Sequence, residues 1–171
     1  MTTEERTDAL EEELASGPPP GFRHSASFGK RQEYVAIARL LEEGLDVYMT
    51  LVDDQGIDCI IRKDATTFYD VQIKARSRYC KPQQAGTFPL LYIPDPRPNY
   101  FFVFYSEQAK MHWIIPSMDI VGVGGQKGLA NQLKSGKNKG KYRVDLTSMK
   151  GGKPNPRPKF SKYENALDLL K

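Results

Sequence analysis

Hydrophobic and polar positions change period several times along this chain. Over 29–44, Tyr34, Ile37, Ala38, Leu40 and Leu41 fall on one arc at about 100° per residue, with Arg39, Glu42 and Glu43 opposite. That spacing predicts an amphipathic helix ending at Gly44. Glu33 stands apart from the polar arc, one turn before Ile37 and two before Leu40, at the edge of the apolar face. A carboxylate there needs compensation: a metal, a partner, or an Arg or Lys salt bridge at the rim. The period then falls to two. Segments 46–52, 57–62 and 67–76 read as strands, joined by Asp53-Asp54-Gln55-Gly56 and Lys63-Asp64-Ala65-Thr66, both of turn composition. In the third, Val71, Ile73 and Ala75 alternate with Asp70, Gln72 and Lys74, so the two sets take opposite faces.

Pro82, Pro89, Pro94, Pro96 and Pro98 exclude a regular helix over 81–98 and predict a long ordered loop. Residues 99–105 are apolar enough for a central strand, which Glu107-Gln108-Ala109-Lys110 turns into a strand over 111–115. Residues 116–121 read as a short helix with proline near its start. A strand over 142–146 and a Pro, Gly and Lys-rich loop over 150–160 follow. Ser161-Lys162-Tyr163-Glu164 is a capping box that predicts a final helix through Leu170.

At 171 residues the chain fits a single domain over 27–171, preceded by an acidic, proline-broken tail over 1–26 that is expected to be disordered. Hydrophobic content of 39% is ordinary. No apolar run approaches the roughly 20 residues of a membrane span, and no positive-then-apolar leader is visible. A cytoplasmic protein without membrane contact is expected. Cys59 and Cys80 lack zinc-site spacing and read as two reduced thiols. His24 and His112 are isolated.

The net charge of +4 hides an asymmetry. Residues 1–20 carry six acids and one base, a net of −5, which leaves +9 for the remainder. Between 124 and 162 there are eleven Lys and Arg and one acid, Asp145. Lys134, Lys137, Lys139, Lys141 and Arg143 are therefore a candidate footprint for a phosphate backbone, the alternative being a solvated surface.

Asp58 on one strand, with Gln72 and Lys74 on its hairpin partner, suits a metal-assisted phosphodiesterase. The glycines at 122–125 lack the strand-to-helix context of dinucleotide binding, and no Walker motif is present. Glu33 on the leading helix, Gly56-Ile57-Asp58, and Val71-Gln72-Ile73-Lys74 together resemble the PD-(D/E)XK, or restriction-endonuclease-like, nuclease superfamily. The likeness is to the branch in which glutamine replaces the second acid. It spans about 28–77. Ile57 stands where proline is usual, and no helix is evident after the lysine strand.

The resemblance implies an α/β restriction-endonuclease-like fold, a mixed sheet flanked by helices. It implies a metal-dependent endodeoxyribonuclease acting on double-stranded or branched DNA. Catalysis would fall to Glu33, Asp58, Gln72 and Lys74. Asp58, Gln72 and the main-chain carbonyl of Ile73 would hold Mg²⁺ or Mn²⁺, and Glu33 a bound water or a second ion. Lys74 would orient the attacking water or balance charge in the transition state. Arg76 and Arg78 follow the site and either reach a phosphate or bracket a strand end. Tyr105 and Trp113 could stack on a base, although aromatics within apolar strands are usually core. Cutting both strands is simplest with two related sites, so a homodimer or higher homo-oligomer is expected. A catalytically inactive nucleic-acid-binding or interaction protein on the same fold stays open, because Gln72 lowers the charge of the site.

Overall fold

The computed structural model describes residues 26–52, 56–91, 93 and 96–171. The expectation of a disordered tail lies outside them, except that Ala26 already opens helix α1, Ala26–Glu42. The buried face of α1 is Phe28, Gln32, Ala36, Ile37 and Leu40, whereas Tyr34, Ala38 and Leu41 are exposed. The stripe is rotated from the arc expected because the polar Gln32 is buried, its amide bonded to Glu107. Gly44, with φ of 78°, ends the helix. Its N–H bonds the Leu41 carbonyl and the Leu45 N–H bonds that of Leu40, the paired closure of a Schellman motif.

The main sheet has five strands in the order β1-β2-β3-β5-β6. These are β1 Asp46–Met49, β2 Cys59–Arg62, β3 Phe68–Arg76, β5 Tyr100–Ser106 and β6 Met111–Pro116. All adjacent pairs are antiparallel except β3 and β5, so the sheet is mixed. Helix α1 covers one face, where Val71, Ile73, Phe101, Val103 and Ile114 meet Ala36, Ile37 and Leu40. The other face carries Phe102, Phe104, Trp113 and Ile115. Helix α2, Ser117–Val121, packs there with a small antiparallel sheet ordered β4-β8-β7. Its strands are β4 Thr87–Leu91, β7 Asn131–Gln132 and β8 Tyr142–Asp145. The architecture is α/β, a mixed sheet flanked by helices.

Three expectations are corrected. The 81–98 segment is not all loop: it holds a 3-10 turn, Pro82–Gln84, and strand β4. The 150–160 segment contains β10, Lys153–Pro156, paired with β9, Thr147–Lys150. Both proline-bearing strands lie at sheet edges, where a missing N–H costs no ladder bond. The final helix is absent; 3-10 turns over Pro158–Tyr163 and Leu167–Leu170 replace it. Phe160 and Tyr163 bury on the small-sheet side of the main sheet, and Leu167 and Leu170 on the α1 side. A segment that crosses the edge of β6 cannot do so as one straight helix. Asn165, at φ 49°, makes the break, and Glu164 bridges Trp113 at the edge itself. Among the described residues no helix is long and apolar enough to cross a membrane.

Candidate active site

The site is built where β2 leaves β3. Asp58 is the last residue still engaged there: its N–H donates to the Val71 carbonyl at 2.9 Å. Its side chain then turns back, and Oδ2 accepts the Ile73 N–H at 2.6 Å. On β3 the Asp70 N–H bonds the Asn99 carbonyl just before β5, and the Arg76 carbonyl accepts from Glu107 just after it. Even-numbered residues of β3 therefore spend their main-chain groups on the β5 side. Alternation turns the N–H and C=O of Ile73 toward the edge that β2 has vacated. The Asp58 carboxylate takes the N–H, and the Ile73 carbonyl faces the same gap.

Gln72 is the neighbour of Asp58 on the small-sheet side. The two are nearly enclosed, at 7% exposure for Asp58 and 9% for Gln72. Gly56 makes room for the amide. Its φ is +73°, and a Cβ there would lie 2.4 Å from Gln72 Nε2 but 3.7 Å from Oε1. The glycine therefore seats the amide nitrogen and leaves Oε1 on the far side. The Tyr100 hydroxyl bonds the Gly56 carbonyl at 3.2 Å, and the Thr50 hydroxyl bonds the carbonyls of Ile57 and Asp58 at 2.8 and 3.2 Å. Lys74, half-buried, projects from the same face two residues further on. Its ammonium makes no hydrogen bond or ion pair with the described residues.

Glu33 comes from α1 and is paired with Lys30 one turn earlier. That pair is the salt bridge allowed for at the rim, and it does not remove Glu33 from the site. The Lys30 pKa is raised, first by the hydrogen bond to Glu33, against a lesser loss of hydration, then by the charges of Glu33 and Asp58. Burial pushes the Cys59 thiol up to about 12, and the same two carboxylates add to the shift. Glu33 and Asp58 thus share one electrostatic neighbourhood. Oxygen donors that could face an ion are the Asp58 carboxylate, Gln72 Oε1 and the Ile73 carbonyl, with Glu33 nearby. Among the described residues no three His, Cys, Asp or Glu side chains are grouped to hold a metal.

Other candidates have work within the fold. Arg76 Nε donates to the Thr87 carbonyl at 2.7 Å and the guanidinium lies over Phe88. Arg78 donates its main-chain N–H to Glu107 at 2.8 Å. Asp70 is partly buried and paired with Arg97, rather than free in solvent. Trp113 is fully buried and is not available to stack on a base, while Tyr105 stacks on His112 at 4.3 Å. Lys134, Lys137 and Lys139 are exposed on the turn between β7 and β8. Lys141 bonds Asn138, and Arg143 pairs with Asp145.

Sequence reasoning missed Glu107. Its side chain, 8% exposed, accepts from Gln32 at 2.7 Å and pairs with Arg31, tying α1 to the chain leaving β3. Nothing in a turn of composition Glu-Gln-Ala-Lys marks it. Thr50 and Tyr100 were missed likewise, whereas the glycine of Gly-Ile-Asp did carry a signal.

No protein-family model matches this chain, and no curated protein matches it. Its backbone does match a solved structure, that of a bacterial homing endonuclease, I-Ssp6803I. The TM-score is 0.52 over 83% of this chain and 87% of that one, at 18% sequence identity. The fold is restriction-endonuclease-like. At that identity the likeness is one of superfamily-level fold, and the roles of individual residues rest on their chemistry here.

Proposed function

We propose that the chain is a metal-dependent endodeoxyribonuclease acting on double-stranded or branched DNA. One observation carries the reading: Asp58 and Gln72 are enclosed side by side where β2 leaves β3, with Lys74 next on the same face. A buried acid and amide with a half-buried ammonium beside them are costly on a bare sheet; at a phosphodiester they each have a task. The donor set fits Mg²⁺ or Mn²⁺, because all its atoms are hard oxygens and Gly56 leaves a cradle that turns Gln72 Oε1 outward. When bound, such an ion polarises a phosphoryl oxygen and acidifies water.

The chain's own residues do the rest. The Ile73 N–H fixes the Asp58 carboxylate at the gap that β2 leaves beside β3. Gln72 contributes an oxygen without charge, so the site holds its ion less tightly than a two-acid site. Lys74 donates to the attacking water or to the phosphoryl oxygens as negative charge builds in the transition state. Glu33, steadied by Lys30, brings a second carboxylate to the water side. Lys134, Lys137, Lys139 and Lys141 hold the phosphate backbone. Two copies acting together would cut both strands.

A plasmid nicking assay tests this. Cleavage should require Mg²⁺ or Mn²⁺ and stop in EDTA. Asp58→Ala and Lys74→Ala should abolish it and still bind DNA; wild-type cleavage by both would sink the assignment. One observation favours a second reading, an inactive DNA-binding protein: the neutral Gln72 leaves one carboxylate on the strands. That reading gains if the wild type never cuts while Lys137→Ala/Lys139→Ala/Lys141→Ala loses DNA binding.

A further inference from the structure

The outer face of the small sheet has a composition that phosphate binding alone does not explain. Phe88 of β4 and Val144 of β8 are register partners and both are buried against the main sheet. Alternation then turns Thr87, Arg143 and Asp145 outward, and Asn131, the partner of Arg143 on β7, with them. Beside this row lies a cleft of about 370 Å³, walled by the 3-10 turn Pro82–Gln84, by β8 and by β9. Its polar lining includes Gln83, Gln84, Arg143, Arg157 and Asp145, with Met149 as its one large apolar side chain.

The cleft is held rigidly. Gly86 sits so close to β9 that a Cβ would lie 2.4 Å from the Thr147 side chain, and the Leu146 N–H bonds its carbonyl at 2.8 Å. Arg157 Nε donates to the Thr147 carbonyl at 2.8 Å, which lays its guanidinium along the rim. Asp145, the one acid in this stretch of sequence, is engaged by Arg143 at 3.0 Å and by the Thr87 hydroxyl at 3.0 Å. Two exposed basic turns flank the surface. One carries Lys134, Lys137 and Lys139; the other, between β9 and β10, is bracketed by Lys150 and Lys153.

We propose that this outer face is a sequence-reading surface for duplex DNA, with amides and guanidinia at base edges and the flanking lysines on the phosphates. Carboxamides pair bidentately with adenine and guanidinia with guanine, and a fixed cleft presents both at set positions. The outer face of β7 and β8, with β7 at the sheet edge, presents these side chains to a major groove about 12 Å wide. The deep, narrow major groove of double-stranded RNA would not admit it. The inference rests on DNA as the substrate of the proposed nuclease, but not on cleavage.

The test is selection of the full wild-type chain, in EDTA, against a pool of randomised DNA duplexes. A preferred sequence should emerge. Arg143→Lys keeps the charge but loses the fork, and Gln83→Ala/Gln84→Ala loses two amides. Each should cut the preference for the selected site over random DNA by roughly 5- to 100-fold, with little change in the salt dependence of binding. Lys134→Ala/Lys137→Ala/Lys139→Ala should weaken both alike and flatten the log–log salt slope by up to about 0.9 per lost contact. Asn131→Ala, at an exposed edge, is the control should another variant fail to fold, and should shift the selected sequence. No enrichment from the pool overturns the proposal. So does an unchanged preference in folded Arg143→Lys and Gln83→Ala/Gln84→Ala, or equal competition by double-stranded RNA. A selected sequence without cleavage in Mg²⁺ would refute the nuclease reading and leave this surface standing.

Discussion

Replacing Gly56 by alanine perturbs the site without removing any candidate catalytic group. The backbone there is left-handed, at φ +73°, which costs an alanine about 1–2 kcal/mol. In a chain of this size that lowers the thermal midpoint by about 2–8 °C. The new methyl also meets Gln72 Nε2 at 2.4 Å. The amide must retreat by about 1 Å to reach ordinary contact, and a displacement of that size in a reacting site costs about 100-fold in rate. Gly44→Ala is the matched control. Its φ is +78°, nothing lies within 4 Å of its Cβ, and it precedes the end of β1 remote from Asp58. Both variants should lose similar stability in urea titrations, and only Gly56→Ala should lose plasmid cleavage in Mg²⁺. Equal cleavage by the two would show that the seat of the Gln72 amide does not matter to the reaction.

Two further outcomes follow from buried groups. Glu107→Ala strands the Gln32 amide and the Arg78 N–H, so it should cost about 2–4 kcal/mol, read as a midpoint fall on the order of 10 °C; an unchanged midpoint would mean the α1 junction does not need the carboxylate. Burial, with the charge of Arg39, pulls His112 from 6.5 down to about 4. The folded protein then binds fewer protons than the unfolded chain, so this stability is whole above about 6.5 and drains away as pH falls toward 4. His112→Phe, which keeps the stack on Tyr105, should lose less stability across that window. Parallel urea midpoints for both proteins would contradict the assignment.

Strand β3 was legible because its alternation survives both local propensity and tertiary context. Gln72 and Lys74 could be read on one face of it, since a register error of one residue would have buried all the wrong side chains, and Asp58 stood beside them on the neighbouring segment. Glu33 was legible as a carboxylate out of place on a helix. What the sequence hid has specific causes. Pro89 disguised β4, because its tolerance depends on being at an edge that only the assembled sheet defines. The capping box at Ser161 describes a helix that would bury one stripe, but the hydrophobic residues after it are claimed by both faces of the sheet. Gln32 and Glu107 are 75 residues apart, and no local pattern announces a polar pair that exists only once α1 docks.

The route from β3 to β5 has a kinetic consequence. Between Arg76 and Tyr100 the chain leaves the main sheet, supplies β4 to the small one, and returns parallel to where it began. The parallel pair is therefore closed by a loop that is itself stitched to β8, through partners such as Thr87 and Asp145, 58 residues apart. The small sheet waits for β8, which follows the last strand of the main sheet by 26 residues of chain, from Pro116 to Tyr142. Much loop-closure entropy is lost before these contacts reward it, so folding belongs to the millisecond-to-second regime of long-range β topologies. The β5–β6 hairpin, joined by a short turn, is the natural early nucleus. Phe88 and Val144 of the small sheet share one core with Phe102 and Phe104, so loss of the small sheet uncovers that face of the main one.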